Sequence, residues 1–360
     1  KGKFILMKTK IQDMTSGSPG RLIILFAIPL MLGNICQQLY TMVDTMVVGQ
    51  IAGVEALAAL GAVDFLMWVV TGISTGLTQG FSIQLSQYYG AKDFENLRKS
   101  LAHSYRLTAF IAVGVFILSQ SFAALVLTGL HTPSNIIGMS LLYLRIIFCG
   151  IPATAAYNMF AAALRAMGNS KTPLTAMIIA SVLNISLDIL FVAGFGWGVA
   201  GAAIATVIAQ SFSAVYCFLI LRRIDIVHLS RADFMSAAGM NARLMKLGIP
   251  VVFQNIIIGV GGLVVQYVIN GYGFLFVAGF TATNKLYGLL EMAAISYGYA
   301  IVTYVGQNLG AGKIDRIRKG VRSSMLLSLL TSLIISIAMF LFGKNILSLF
   351  ISGEPQQTQE

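Results

Sequence analysis

Gln37-Gln38-Leu39-Tyr40-Thr41-Met42-Val43-Asp44-Thr45-Met46-Val47-Val48-Gly49 lies in the outer part of the first long apolar run of this 360-residue chain. It sets a carboxylate, Asp44, among residues suited to lipid or packed protein. A charge at the centre of a membrane helix costs ~2.5–3.5 kcal/mol on insertion scales. A chain that keeps one there turns it towards a cavity or a partner, so the reading of the whole sequence depends on what Asp44 faces.

The rest of the composition agrees with a membrane setting. Hydrophobic residues make up 57% of the chain and charged residues 10%, with a mean hydropathy of +0.82. Soluble domains carry about 25% charged residues. The apolar runs reach the ~20 residues that a helix needs to cross a bilayer, and the ten-residue alternation of an outer-membrane barrel is absent. The expected fold class is therefore all-α and polytopic. The net charge of +11 does not indicate nucleic acid, because Lys and Arg recur in alternate loops rather than on one patch. Cys36, Cys149 and Cys217 all sit inside apolar runs, odd in number and irregular in spacing, which argues against disulfides and a zinc site. His103, His131 and His228 are scattered without metal-ligand spacing. Met7, followed by Lys8-Thr9-Lys10, resembles a natural start, and no cleavable signal peptide is evident.

Nine spans are expected, near 22–48, 55–82, 105–128, 135–157, 174–193, 198–221, 244–270, 274–303 and 324–342. Basic residues cluster in alternate linkers, from Lys8, Lys10 and Arg21 to Lys313, Arg316, Arg318, Lys319 and Arg322. The loops near Gly53, Thr132, Gly196 and Gly271 hold almost none. The positive-inside bias places the N-terminus and the 222–243 linker in the cytoplasm. An internal repeat is visible as well. Ile28-Pro29 is answered by Ile249-Pro250, Gln87-Tyr88-Tyr89-Gly90-Ala91 by Gln307-Asn308-Leu309-Gly310-Ala311, and Leu97-Arg98-Lys99 by Ile317-Arg318-Lys319, at a near-constant offset. Both copies start on the same side, so the repeats are parallel, about an axis along the membrane normal.

The expected organisation follows: a cytoplasmic segment over 1–21, a six-helix N-lobe over 22–221, a cytoplasmic linker over 222–243 and a C-lobe over 244–342. Only about three helices of that second lobe precede the polar, extracellular tail 343–360. We expect a truncated form of a twelve-helix plan.

Four intramembrane acids stand out: Asp44, Asp64, Asp188 and Glu291. Asn184 precedes Asp188 by one helical turn, so both lie on one face, and Thr206 adds a hydroxyl on the sixth span. At ~1.5 Å per residue, Asp44, Asp188 and Thr206 fall at one depth, which points to a shared pocket. Such a pocket would hold Na⁺ through hard oxygen ligands or share a proton between two carboxylates; the sequence leaves the two open. Blander roles stand beside these: an interfacial, solvated Asp44, an Asp188–Asn184 hydrogen-bond clamp, a Thr206 bonded to its own helix, an Asp64 lining water, and a snorkelling Arg145. Glu291 either pairs with Lys285 or meets a cationic substrate. No His-Glu-x-x-His motif, paired-aspartate protease motif or Ser/His dyad marks an enzyme.

The chain resembles the multidrug and toxic compound extrusion (MATE) family. The likeness runs from Ile28-Pro29 through Tyr40–Gly49, Gly53–Gly61 and Gln87–Ala91 to Leu164-Arg165-Ala166-Met167-Gly168-Asn169-Ser170-Lys171-Thr172-Pro173. It implies a secondary active antiporter, exporting organic cations by alternating access in exchange for H⁺ or Na⁺, with no other cofactor. It further implies coupling at Asp44, Asn184, Asp188 and Thr206, a cavity lined by Gln37, Tyr40, Asn158 and Met177, and a hinge at Pro29. The seventh span, Val251-Val252-Phe253-Gln254-Asn255-Ile256-Ile257-Ile258, lacks the acid that some members carry, which favours an N-lobe coupling site. A monomer in a bacterial-type inner membrane is expected. The alternative is a lipid-linked saccharide flippase of the same superfamily, which would need a basic cavity where these charges are acidic. A channel would be told apart by ohmic conductance.

Overall fold

A computed structural model describes residues 11–130, 132–235, 237–270 and 274–347. Met7, His131, the loop at Gly271 and the tail from 348 onward lie outside the described residues, as does the side chain of Lys285 and with it the expected pairing to Glu291. Among the described residues every regular element is helical. The N-lobe comprises α1 (Pro19–Ile51), α2 (Val54–Gly90), α3 (Phe94–Gly129), α4 (Ile137–Cys149), α5 (Ile151–Ala166), α6 (Lys171–Asp188) and α7 (Gly198–Leu221). Two short 3-10 turns in the linker lead to α8 (Met240–Asn270), α9 (Phe274–Gly310) and α10 (Ile314–Leu347). Among the described residues seven helices are long and apolar enough to cross a membrane, eight if the bent α4–α5 pair is one span. The lengths of α1, α2 and α3 (33, 37 and 36 residues) are matched by α8, α9 and α10 (31, 37 and 34). Phe110 and Phe340, 78% and 91% exposed, mark faces suited to lipid.

Three expected boundaries need correction. The loop expected between the second and third spans is helical except for the turn Ala91–Asp93. Asp93 caps α3 by accepting the Asn96 N–H at 3.1 Å, and Glu95 pairs with Lys99 at 2.6 Å on the next turn. Local polar bonds thus carry the helices past the apolar stretch that hydropathy detects. The expected fourth span is broken by 46° at Gly150, ahead of Pro152. Proline fits best in the first turn of a helix, and the chain restarts there with Pro152 near the start of α5. The fifth span leaves α geometry after Asp188 and ends in a π turn, Ile189–Gly194.

The basic linkers gather at one end of the bundle, here termed the basic end: the α2–α3, α5–α6 and α9–α10 turns meet there, and the linker docks on α3. Down α2 towards that end the two lobes draw steadily closer. A methyl placed on Gly72 would lie 3.7 Å from Asn255, and one on Gly76 would lie 2.9 Å from the Val252 backbone. At Gly80 it would overlap the backbone of Gly248, and at Gly90 that of Gln307. Around Gly61, Gly261 and Gly262 the same construction meets nothing within 4 Å. The lobes therefore meet backbone to backbone at the basic end and draw apart along α2 away from it.

This geometry makes Gly80 a place where added volume must separate the lobes, since forced overpacking costs about 1–3 kcal/mol. Spin labels at Lys99→Cys on α3 and Lys319→Cys on α10 should report longer separations in Gly80→Val than in the parent. An unchanged distribution would show that the α2–α8 crossing does not hold this end shut.

Candidate functional site

The three helices α1, α6 and α7 pack against one another, and each presents two polar side chains one turn apart. These are Tyr40 and Asp44, Asn184 and Asp188, and Thr206 and Gln210. A spacing of four residues sets each pair on one face. α1 and α6 run away from the basic end while α7 returns to it, so Asp44 and Asp188 form the tier farthest from that end and Gln210 lies deepest. Two interhelical hydrogen bonds fix the arrangement. Asn184 Nδ2 donates to Thr206 Oγ1 at 3.4 Å, and Gln210 Nε2 donates to the Tyr40 hydroxyl at 3.3 Å.

Asp44 lies within Coulombic range of Asp188 across the helix interface and of Asp64 on α2. Tyr143, on α4, is in range of all three acids and of Tyr40. Asn184 and Asp188 are 0% exposed and Asp44 is 5% exposed, so Asp44 is no solvated interfacial acid. Asp44 Oδ1, both carboxylate oxygens of Asp188, Asn184 Oδ1 and Gln210 Oε1 are buried and accept no hydrogen bond. Such a set is rich in acceptors and poor in donors. An ionised carboxylate can only accept, and two of them in a low-dielectric interior repel one another strongly. A cation, either a proton or a small metal ion, is the chemical complement. Among the described residues no group of three or more His, Cys, Asp and Glu is placed to hold a metal, so a Na⁺ site here would draw on Asp44, Asp188 and the neutral oxygens of Asn184 and Thr206.

The backbone around Asp188 is itself unusual. α6 gives way to the π turn at the next residue, and single π turns recur at functional sites. A methyl on Gly201 would lie 3.0 Å from Phe191 Cβ, so glycine there eases the packing of α7 against the wider turn. Phe191 stacks on Trp197 and Phe195 at centroid separations of 5.1 and 5.9 Å.

The other expected residues are dispersed. Pro29 is buried within α1, where its missing N–H deprives the Leu25 carbonyl of its helical donor. Gln37 and Glu291 are exposed, on α1 and α9. Asn158 donates to Thr75 Oγ1 at 3.3 Å, joining α5 to α2. Met177 is only 4% exposed and packs inside the N-lobe. Arg145 has an exposed side chain on α4. Gln210 and Tyr143 were not expected: Gln210 carries a sequence signal, being one turn beyond Thr206, whereas Tyr143 carries none.

Comparison with known proteins places this geometry in context. The MatE family model matches in two blocks, 29–190 and 250–356, one in each lobe. The probable multidrug resistance protein YpnP of Bacillus subtilis is 31% identical over 343 residues, covering 95% of this chain and 77% of its own. A solved structure of a MOP superfamily transporter from Pyrococcus furiosus superposes with a TM-score of 0.91 at 23% identity, over 97% of this chain and 78% of the other. The outward-facing conformation of a multidrug resistance MATE family transporter gives 0.91 at 22% identity, over 98% and 78%. With a buried carboxylate pair in one of two repeated lobes, and the family's model matched in both, the chain belongs to the MatE family of multi-pass membrane transporters.

Proposed function

We propose that this protein is a monomeric secondary active exporter that expels organic cations in exchange for H⁺ or Na⁺, with no catalytic step and no role in binding nucleic acid. It would lie in a bacterial-type plasma membrane with its basic end, and so its N-terminus, in the cytoplasm, as the positive-inside bias requires. The observation that carries this reading is the buried acid pair, Asp44 and Asp188, of which Asp44 Oδ1 and both Asp188 oxygens accept no hydrogen bond. The relatives' multidrug names support the same class of substrate.

The mechanism follows from charge. With both carboxylates ionised, α1 and α6 are pushed apart at the height of Asp44 and Asp188. A cation between them removes that repulsion and adds ligands on both helices. Because α1 contains Pro29, and so lacks one rung of its ladder, this local pull is available to bend the helix. A cation therefore biases one lobe conformation over the other. Any substrate that prefers the opposite conformation is coupled to the ion by the same free energy, in both directions. Tyr40, held by Gln210, lies one turn below Asp44. The exposed Glu291 places a carboxylate on α9 of the facing lobe, suited to attracting an organic cation before it is expelled.

Asp44→Asn and Asp188→Asn should each abolish gradient-driven efflux of ethidium or norfloxacin from vesicles while leaving the thermal unfolding midpoint unchanged or raised. Full efflux by either variant would remove the coupling role. Imposed Na⁺ and pH gradients, applied separately, identify the ion. Glu291→Gln should act differently, raising KM for cationic substrates about tenfold, the equivalent of ~1.4 kcal/mol of lost attraction, with little change in turnover. An unaltered KM would exclude Glu291 from substrate recognition.

A further inference from the structure

Each lobe's first helix is preceded by a short segment that crosses the basic end and docks on the other lobe. Ahead of α1, residues 12–17 lie on α9 and α10. At the entry to α8, Asp233 and Met235 ahead of the helix and Met240 and Asn241 in its first turn lie on α2 and α3. The first strap is the more completely bound. Met14 is 0% exposed. Its N–H donates to Gln307 Oε1 at 3.0 Å, and its carbonyl accepts from Asn308 Nδ2 at 2.9 Å and Arg316 Nη2 at 3.4 Å. Lys313 Nζ donates to the Thr15 carbonyl and Arg316 Nη1 to the Gly17 carbonyl, both at 2.9 Å.

The receptor for this strap is built in advance. Arg316 Nε donates to Asn308 Oδ1 at 3.0 Å, and the guanidinium lies over the Tyr304 ring at 5.9 Å. The Tyr304 hydroxyl in turn donates to the Arg316 carbonyl at 3.0 Å. Gln307 also reaches the N-lobe itself, donating Nε2 to the Ala166 carbonyl at 2.8 Å. On the strap's other side the Gln12 N–H donates to the Gly168 carbonyl at 3.1 Å. The strap forms a turn of its own, because Asp13 accepts from the Thr15 N–H and hydroxyl at 2.8 Å and from Ser16 Oγ at 3.0 Å. Burial opposes ionisation of Asp13, but these bonds and the charge of Lys313 outweigh it and hold the carboxyl below its usual range. The second strap is attached more sparingly, through His103 to Asn241 at 2.7 Å and to the Met235 carbonyl at 3.2 Å, and through Arg98 to Asp233 at 3.8 Å.

The bonds that Gln307, Asn308, Lys313 and Arg316 make to the strap, with those of Gln307 to Ala166 and of His103 and Arg98 to the linker, span the seam that must part if the basic end is to open. We infer that residues 12–17 are a releasable latch: bound by Gln307, Asn308, Lys313 and Arg316 while the charge-poor end is open, and freed when the basic end opens. The inference rests on the alternating-access reading above and adds the element that has to let go. The receptor grips main-chain groups, so latch strength resides in the C-lobe side chains rather than in the identity of the strap's own residues.

The test begins with Cys36, Cys149 and Cys217 replaced by alanine and Met14→Cys as a buried reporter, labelled with a maleimide in membranes. Adding Asn308→Ala or Arg316→Ala should speed labelling about tenfold, since each removes side-chain donors to the strap's carbonyls. An unchanged rate overturns the latch. A second measurement does not need Met14 altered. Thr15→Cys and Lys313→Cys, joined by a short cleavable cross-linker, should confine the Lys99/Lys319 spin-label pair to its short separation until the linker is cut. Long separations persisting in the cross-linked protein overturn the latch equally. Neither readout involves the Asp44/Asp188 pair, so failure of ion coupling and failure of the latch are seen separately.

Discussion

The crossing of α2 over α8 is the constraint around which the bundle is arranged. Backbone meets backbone where Gly80 faces Gly248, and no side chain fits between them. From that fixed point the lobes diverge, and the space between their far ends exists because the near ends are pressed together. Packing without intervening side chains is what membrane helices use in place of a hydrophobic driving force. It is also reversible as a unit, since few rotamers have to change when the two surfaces slide or part.

The acid tier lies away from this seam, inside one lobe. Asp44 and Asp188 belong to α1 and α6, which stay on the same side of the crossing, so the repulsion between them is internal to the N-lobe. Its mechanical outlet is α1. That helix packs against α6 within its own lobe and against α9 and α10 of the other, and its ladder is interrupted at Pro29. Charge at one end of α1 and the strap at its other end thus act on a single helix from opposite sides of a weak rung.

Much of this was legible in the sequence. The nine apolar runs became helices because hydropathy and length together leave few alternatives in lipid. The repeat was visible in Gln87–Ala91 and Gln307–Ala311, since close helix packing at both turns restricts the residues allowed. Asn184 with Asp188 followed from helical spacing. What was not legible has physical reasons. The helices outside the apolar stretch are held by polar caps such as Asp93, which hydropathy ignores. Tyr143 comes within Coulombic range of the acids from α4 through tertiary packing, with no spacing rule to announce it. Met177, which the family likeness placed on a cavity wall, is covered by its neighbours. Whether a residue at a helix face lines space or fills it depends on neighbours that periodicity does not identify.

The π turn after Asp188 accommodates one residue more than an α-helical path between the same two points would need. Removing a single residue from Ile189–Gly194 is thus a tolerable edit, because the segment could tighten into an ordinary turn while Asp188 stays where it is. Because both ends of the segment stay fixed, Phe195 and Trp197 beyond it would keep their faces, and only the register inside the segment, where Phe191 lies, would change.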